Sequence, residues 1–275
     1  MAGMSISEME EMARKCRVEI CKMTHRAQAG HPGGSLSEID ILCGLYGHRL
    51  RVKPDDPDWE DRDRFILSKG HASPGMYAVL AEMGFISHED LKSYRVKGGV
   101  CQGHVDMKWC PGVDFSAGSL GMGLSFGMGC AVAAKLDGSS RNAYVMVGDG
   151  EIQEGSVWEA AMAATHHELG NLKLFVDCNG IQNDDFCEAQ MRMFDIPAKW
   201  NAFGWAVKVI DGHDMTSIVE AIDWMDSIQD KPAVVIARTI KGKGVSFMEN
   251  NPAFHGAAPS DEQLSLALSE LGVEA

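Results

Sequence analysis

"YVMVGDGEIQEGSVWEAAMAATHHELGNLKLFVDCNG", residues 144–180, decides the fold. The apolar run Tyr144–Val147 has the character of a buried strand and stops at Gly148-Asp149-Gly150. Residues 154–169 read as a helix, closed by Gly170. A second apolar run over 172–177 ends at Cys178-Asn179-Gly180. Strand, helix and strand in this order predict a right-handed β-α-β unit, whose two turns leave the sheet at the same edge. If the strands are immediate neighbours, Asp149 and Asn179 start about 5 Å apart. Ligands of such sheets bind beyond the carboxyl ends of the strands.

The flanking sequence extends the pattern. A first helix is expected from a cap at Ser5 or Ser7 to about His25, with Glu8, Glu10 and Glu11 in its first turns. Ala29-Gly30-His31-Pro32-Gly33-Gly34 reads as a break before a helix over 37–50. A short strand is expected at 64–67, a helix over 74–83, and irregular chain over 95–117. The helix 119–136 leads into the stretch quoted above. Two further β-like runs, 205–210 and 233–237, enclose a helical segment at 214–228. Alternating strands and helices predict an α/β fold, a parallel sheet covered by helices on both faces. No repeat or linker divides the chain, so one domain over 1–275 is expected.

Composition narrows the partners. The chain has 275 residues, 45% of them apolar, which is enough for a real core. Its net charge of −14 argues against nucleic acid and against an anionic membrane surface. Residues 115–134 are uncharged and long enough to cross a bilayer, but five glycines and three serines interrupt them. A glycine-rich helix in a core or subunit interface is the better account. The eight cysteines form no CxxC pair and no zinc-finger spacing. Reduced, packed thiols in a cytoplasmic protein are therefore expected. The N-terminus lacks the basic and apolar blocks of a signal peptide.

One carboxylate and one amide oxygen at adjacent strand ends suit a single hard cation. Mg²⁺ takes about six oxygens and usually draws several from phosphate and water. Asp149, Asn179 and a nearby carbonyl, that of Ile181, would supply three, and a diphosphate with one water the rest. Gly148 and Gly150 would bare the backbone amides to the phosphates, and the following helix would add its N-terminal donors. Gly-Asp-Gly and Asn-Gly are each common turns. Their placement one crossover apart favours a metal–diphosphate site. A dinucleotide fold is disfavoured because Phe126 stands where GxGxxG needs glycine after Gly121 and Gly123. A Mg²⁺-dependent phosphohydrolase would need a second acid cluster. A non-catalytic scaffold would not need the four histidines in glycine contexts, His31, His71, His104 and His255. Their ordinary pKa of about 6.5 would let imidazole donate or accept protons near neutrality. His166 and His167 read as structural.

The Gly148-Asp149-Gly150 turn with Asn179 resembles the thiamine diphosphate motif. Further stretches are similar to the diphosphate-binding, N-terminal part of transketolases: AGHPGGSLS (29–37), LSKGHASPGMYAVLAEMG (67–84), GHVD (103–106), SAGSLGMGLSFGMGCAVAAKL (116–136), VGDGEIQEGSVWEA (147–160), VDCNGIQND (176–184) and FHGAAP (254–259). They fall in the family's order over nearly the whole chain. The resemblance implies a thiamine diphosphate-binding fold and a transferase moving a two-carbon ketol unit from a ketose, by default a phosphorylated one of the pentose phosphate pathway, to an aldose. It implies Mg²⁺, or Ca²⁺ or Mn²⁺ in its place, on Asp149, Asn179 and the Ile181 carbonyl. His71, Gly150 and His255 are implied at the diphosphate, Gly118 and Leu120 at the cofactor ring, and His31, His104 and His255 along the substrate channel. Glu154 and Glu159 resemble acids buried where two active sites meet, with Asp177 in the same region, and Glu154 is also implied as a cofactor contact. The Ala-rich face of the 154–169 helix and the 118–136 segment are expected at subunit contacts.

The pyrimidine-binding and C-terminal domains of the family, with the glutamate that activates the cofactor, have no counterpart before Ala275. The expectation is a split transketolase, its partner chain carrying those domains, assembled as an α2β2 heterotetramer. Deoxyxylulose-phosphate synthases and 2-oxo acid dehydrogenase α-subunits share the Gly-Asp-Gly turn, and Thr239–Gly244 is compatible with several members. GHPGGSLS and SKGHAS favour transketolase. Ser119 in place of Pro, Val105-Asp106 in place of Pro-Glu, and Gly180 in place of a larger polar residue depart from the family pattern and bear on substrate preference.

Overall fold

The computed structural model describes residues 3–273. Its first half runs α1 (Ile6–Ala27), α2 (Pro32–His48), β1 (Arg64–Leu67), α3 (Ser73–Glu82), α4 (Met122–Leu136), β2 (Ala143–Gly148) and α5 (Gly155–His166). The second half runs β3 (Leu172–Cys178), a small hairpin of β4 (Ile181–Gln182) and β5 (Asp185–Phe186), α6 (Cys187–Gln190), α7 (Ile196–Ala202), β6 (Ala206–Asp211), α8 (Met215–Ser227), β7 (Ala233–Arg238) and α9 (Asp261–Glu270). The main sheet has the order β1-β2-β3-β7-β6, and every pairing in it is parallel. β2 and β3 are direct neighbours, with Gly148 opposite Asp177.

Because successive side chains of a strand point to opposite faces, the strands feed two cores. Tyr144, Met146, Phe175 and Val235 pack under α1, α2, α3 and α8. Val145, Val147, Leu174, Val176 and Val234 pack under α4, α5 and α7, with Trp200 and Trp205. α2 is buried from Pro32 to Gly47 on all sides, and its buried acids are paired, Glu38 with Lys69 and Asp40 with Arg17. α4 presents Gly123 and Gly127 to the sheet: a β-carbon at Gly127 would lie 2.4 Å from Val145. Its other side leaves Met122, Phe126 and Leu136 exposed.

The sequence expectations hold for the sheet and the crossover and fail at several helix ends. α1 is capped by Ser5, whose hydroxyl accepts from Glu8 N, while the Glu8 carboxylate accepts from Ser5 N. α2 does not wait for Ser37: it starts at Pro32, since a proline in the first turn gives up a donor that has no helical partner anyway. α4 starts at Met122 rather than 119, because Gly121 turns left-handed (φ 80°) to enter it. A single 3-10 turn at Glu151–Gln153 precedes α5. Periodicity does not mark α6, α7, α9 or the β4–β5 hairpin. The eight cysteines are all unpaired, six of them buried. Among the described residues no helix is long and apolar enough to cross a membrane.

Candidate functional site

The turns after β2 and β3 meet as the β-α-β geometry requires. Asp149 N donates to Asp177 O at 3.1 Å, which carries the strand pairing into the turn. The Asp149 carboxylate is buried; Oδ1 accepts from Gly150 N at 2.9 Å and Oδ2 from Gly180 N at 2.6 Å. Burial and the nearby Asp177 charge push its pKa up to about 6 against those two amides. Asn179 is buried beside it, and its Oδ1 accepts from Ile181 N at 3.2 Å. The Ile181 carbonyl accepts from Lys241 Nζ at 3.0 Å. Asp149, Asn179 and Ile181 all line one cavity of about 340 Å³ at the carboxyl edge of the sheet.

Every residue singled out from the sequence as a ligand contact lines that cavity, Gly118, Leu120, Gly150, Glu154 and the four histidines included. The imidazoles form a cluster. His31 lies 5.0 Å from His71, 6.2 Å from His104 and 5.3 Å from His255, ring centre to ring centre. His31 Nδ1 is buried with no protein partner, a polar atom that a ligand would satisfy.

Their protonation differs from expectation. Burial pushes His31 down to about 4 and His255 to about 3, helped by Lys241 and by neighbouring imidazoles. His71 is lowered well below its ordinary value by burial and Lys69, and His104 is lowered by burial and Arg95. All four are neutral at pH 7, so they act as hydrogen-bonding groups rather than as imidazolium reservoirs. Lys241 Nζ lies 2.7 Å from His255 Nδ1, which assigns the ring proton to Nε2.

Two further expectations need correction. The amides of Gly148 and Gly150 are not free for phosphate: Gly148 N donates to Glu151 Oε2 and Gly150 N to Asp149 Oδ1. Gly150 is bare for another reason, since a β-carbon there would lie 2.7 Å from Gln182 Cβ. Glu154 and Glu159 are exposed on this chain, while Val157, Ala160, Ala161 and Ala164 fill the buried face of α5. The Ala-rich face therefore serves the sheet, not a subunit contact.

Three charged residues escape a reading of the sequence. Lys241 sits in the run Thr239-Ile240-Lys241-Gly242-Lys243-Gly244, whose glycines read as a surface loop, yet it is buried, and burial with the nearby Lys69 lowers its pKa to about 8. Lys69 lies beneath the cavity and donates to Asp177 Oδ2 at 2.5 Å and to Gly34 O at 3.0 Å, with Glu38 Oε2 at 2.9 Å. Burial opposes its charge, but Asp177 and Glu38 outweigh it and hold Lys69 protonated. Glu151 is buried and joins three segments, accepting from Gly121 N at 2.8 Å, from Gly148 N at 3.0 Å and from the Ser68 hydroxyl. Only its place beside the Gly-Asp-Gly turn marks it in the sequence.

The donor set fits a hard cation carrying a diphosphate. It offers one carboxylate, one amide oxygen and one carbonyl, with a lysine ammonium already on that carbonyl. Among the described residues no group of three or more His, Cys, Asp or Glu forms a metal cage. A cation here would need oxygens from its ligand, as Mg²⁺ with a phosphate does.

Comparison with known proteins agrees with this geometry. Residues 8–275 match the family model "Transketolase, thiamine diphosphate binding domain". The chain is 38% identical to an apulose-4-phosphate transketolase subunit of Phocaeicola vulgatus, over 98% of this chain and 95% of that one. It is 40% identical to the 6-deoxy-6-sulfo-D-fructose transketolase subunit SqwG of Clostridium sp. strain MSTE9, over 89% of each. The solved transketolase of Campylobacter jejuni superposes with a TM-score of 0.93 at 32% identity, covering 98% of this chain and 44% of that one. The chain likewise spans 40% of human transketolase, at 35% identity. With a model matched from residue 8 to the C-terminus and relatives aligned nearly end to end, the chain belongs to the transketolase thiamine diphosphate-binding domain family.

Proposed function

We propose that this chain is the diphosphate-binding subunit of a two-chain transketolase that moves a two-carbon ketol unit from a ketose to an aldose. The observation that carries the reading is the single cavity in which Asp149, Asn179 and the Ile181 carbonyl share walls with four histidines. Two relatives aligned over 89% or more of their length are named as transketolase subunits, which supports a partner chain.

Asp149, Asn179 Oδ1 and the Ile181 carbonyl would hold Mg²⁺, or Ca²⁺ or Mn²⁺. The ion's charge would offset the cofactor diphosphate and replace the contact that Lys241 Nζ makes with the Ile181 carbonyl. Thiamine diphosphate, when bound, supplies the carbon acid that cleaves and forms carbon–carbon bonds next to a carbonyl. This chain's residues position and shield it. Lys241 and His71, on the cavity wall, would face the diphosphate, and Gly118 and Leu120, on the same wall, would flank the rings. His31, His104 and His255, being neutral, donate or accept hydrogen bonds to sugar hydroxyls, and His255 hands a proton only through Nε2.

The partner would carry the pyrimidine-binding domain with its activating glutamate and would cover the cavity mouth, in an α2β2 assembly. Leu120 on the cavity wall and Met122 just after it in the chain stand exposed, apolar groups suited to such a contact. Glu154, also on the cavity wall, and Glu159 are exposed and would be buried by it.

Mixing the purified chain with the product of a candidate partner gene, Mg²⁺, thiamine diphosphate and a ketose–aldose pair tests the proposal. Activity is expected only in the mixture. Full turnover by the isolated chain, or acyl transfer to a lipoyl carrier instead of ketol transfer, would contradict it.

A further inference from the structure

An asparagine side chain has two unlike ends, and only the oxygen serves a cation. Asn179 Nδ2 donates to Asp177 Oδ2 at 3.1 Å and to Ser37 Oγ at 3.2 Å, while its Oδ1 accepts from Ile181 N at 3.2 Å. Asp177 is fully buried, and its Oδ2 is held in place by Lys69 Nζ at 2.5 Å and Ser37 Oγ at 2.6 Å. Its Oδ1 accepts from the Thr239 hydroxyl. An ionised carboxylate only accepts. Turning the Asn179 amide over would set two acceptors against each other in a buried site and aim two N–H groups at the Ile181 amide and the cavity. Each misplaced pair of this kind leaves buried polar groups unsatisfied, a cost that burial enlarges.

We propose that Asp177 is a positioning residue, seconded by Ser37, that fixes the Asn179 amide with its oxygen toward the cavity and so presets a cation ligand before any ligand arrives. The inference rests on the cation–diphosphate reading of the cavity. It assigns Asp177 a role through its acceptor oxygen, not through its negative charge. Ser37 and Lys69 come from α2 and the end of β1, so the cation ligand is oriented by segments that never touch the cation.

Charge and acceptor are separable by substitution. In Asp177→Asn, the Lys69 ammonium demands an oxygen at the Oδ2 position. The new NH₂ then falls on the Thr239 side, where the hydroxyl turns to accept. The acceptor facing Asn179 Nδ2 survives and the charge is lost. Asp177→Ala removes both. A carboxylate at position 179 presents an oxygen to the cavity whichever way it turns, so in Asn179→Asp the cation ligand no longer needs an acceptor at Asp177, whose carboxylate then opposes it.

Mn²⁺ binding to the full chain at saturating thiamine diphosphate, read from the free-Mn²⁺ electron paramagnetic resonance signal, decides the matter without recourse to activity. Loss of an outer partner of a metal ligand weakens affinity by about 10- to 100-fold, so a loss of at least about tenfold is expected for Asp177→Ala. Asp177→Asn should stay within about threefold of the unaltered chain, since its acceptor is retained. On the Asn179→Asp background Asp177→Ala should produce no further loss. Where the alanine variant does not fold, Ser37→Ala replaces it, with a loss of a few-fold expected beside Asn179 and none beside the substituted Asp.

Unchanged affinity in Asp177→Ala overturns the inference alone. So does an Asp177→Asn loss equal to that of Asp177→Ala, or equal losses on both backgrounds. Absence of Mn²⁺ binding by the unaltered chain overturns the cation reading, and this inference with it.

Discussion

Lys241 shows how much one buried side chain decides here. Its Nζ bridges the Ile181 carbonyl and His255 Nδ1, and it is the cationic group of the cavity with no carboxylate bonded to it. Lys69, by contrast, is committed to Asp177 and Glu38. A hydrogen bond from a charged group contributes about 1.5–3 kcal/mol, or roughly 10- to 100-fold in affinity. Lys241→Met is therefore expected to weaken thiamine diphosphate binding by that factor while the chain stays folded, as measured by quenching of tryptophan fluorescence. Unchanged affinity would place the diphosphate elsewhere in the cavity. The sequence alone does not single out this residue. Gly242 and Gly244 just after it look like loop punctuation, and burial of a lysine is a property of the packed fold.

At the scale of elements, the sheet is legible in the sequence and the loop architecture is not. Strands such as Arg64–Leu67 and Ala143–Gly148 are short, mostly apolar runs between turn residues, and composition and length suffice to find them. Pairing β2 with β3 follows from the crossover rule, and that brings Asp149 beside Asn179. Helix α2 reads too short because Pro32-Gly33-Gly34 looks like a break, whereas in the fold a β-carbon at Gly33 would lie 2.8 Å from the Phe254 carbonyl. Close packing, not a turn, requires that glycine. Helix α9 does leave a local signal, the Ser260–Gln263 capping box.

The junction built by Glu151 is invisible in the sequence, because it joins segments far apart in the chain. Glu151 ties the entry of α4 to the Gly-Asp-Gly turn, and Ser68 Oγ extends the tie by accepting from Gly123 N at 3.0 Å. Removing an acceptor of several buried donors costs about 1–3 kcal/mol for each one left unmatched. Glu151→Ala is thus expected to lower stability by roughly 2–4 kcal/mol in urea unfolding and to speed hydrogen exchange at Gly121 and Gly123. Exposed Glu154→Ala should stay within about 0.5 kcal/mol. Equal effects from the two would remove Glu151 from its place as the junction.

At the scale of the whole molecule, the histidine cluster links stability to pH. An imidazole in the unfolded chain takes its proton near about pH 6.5. In the folded chain His31 waits until about 4 and His255 until about 3. Between these values the unfolded chain binds more protons, so stability falls as pH drops from about 6.5 toward about 4 and returns as pH rises. The His31→Asn, His255→Asn double variant should lose less stability between pH 7.5 and pH 5 than the unaltered chain, and parallel losses would show the cluster to be protonated when folded. The central claim concerns geometry across the two strand ends, and one measurement reaches it most directly: anomalous scattering from Mn²⁺ in crystals of the chain, with its partner, grown with thiamine diphosphate. The account predicts a single strong peak at coordination distance, about 2.1 Å, from Asp149, Asn179 Oδ1 and the Ile181 carbonyl. A peak lying elsewhere, with those three oxygens facing protein or solvent, would contradict it.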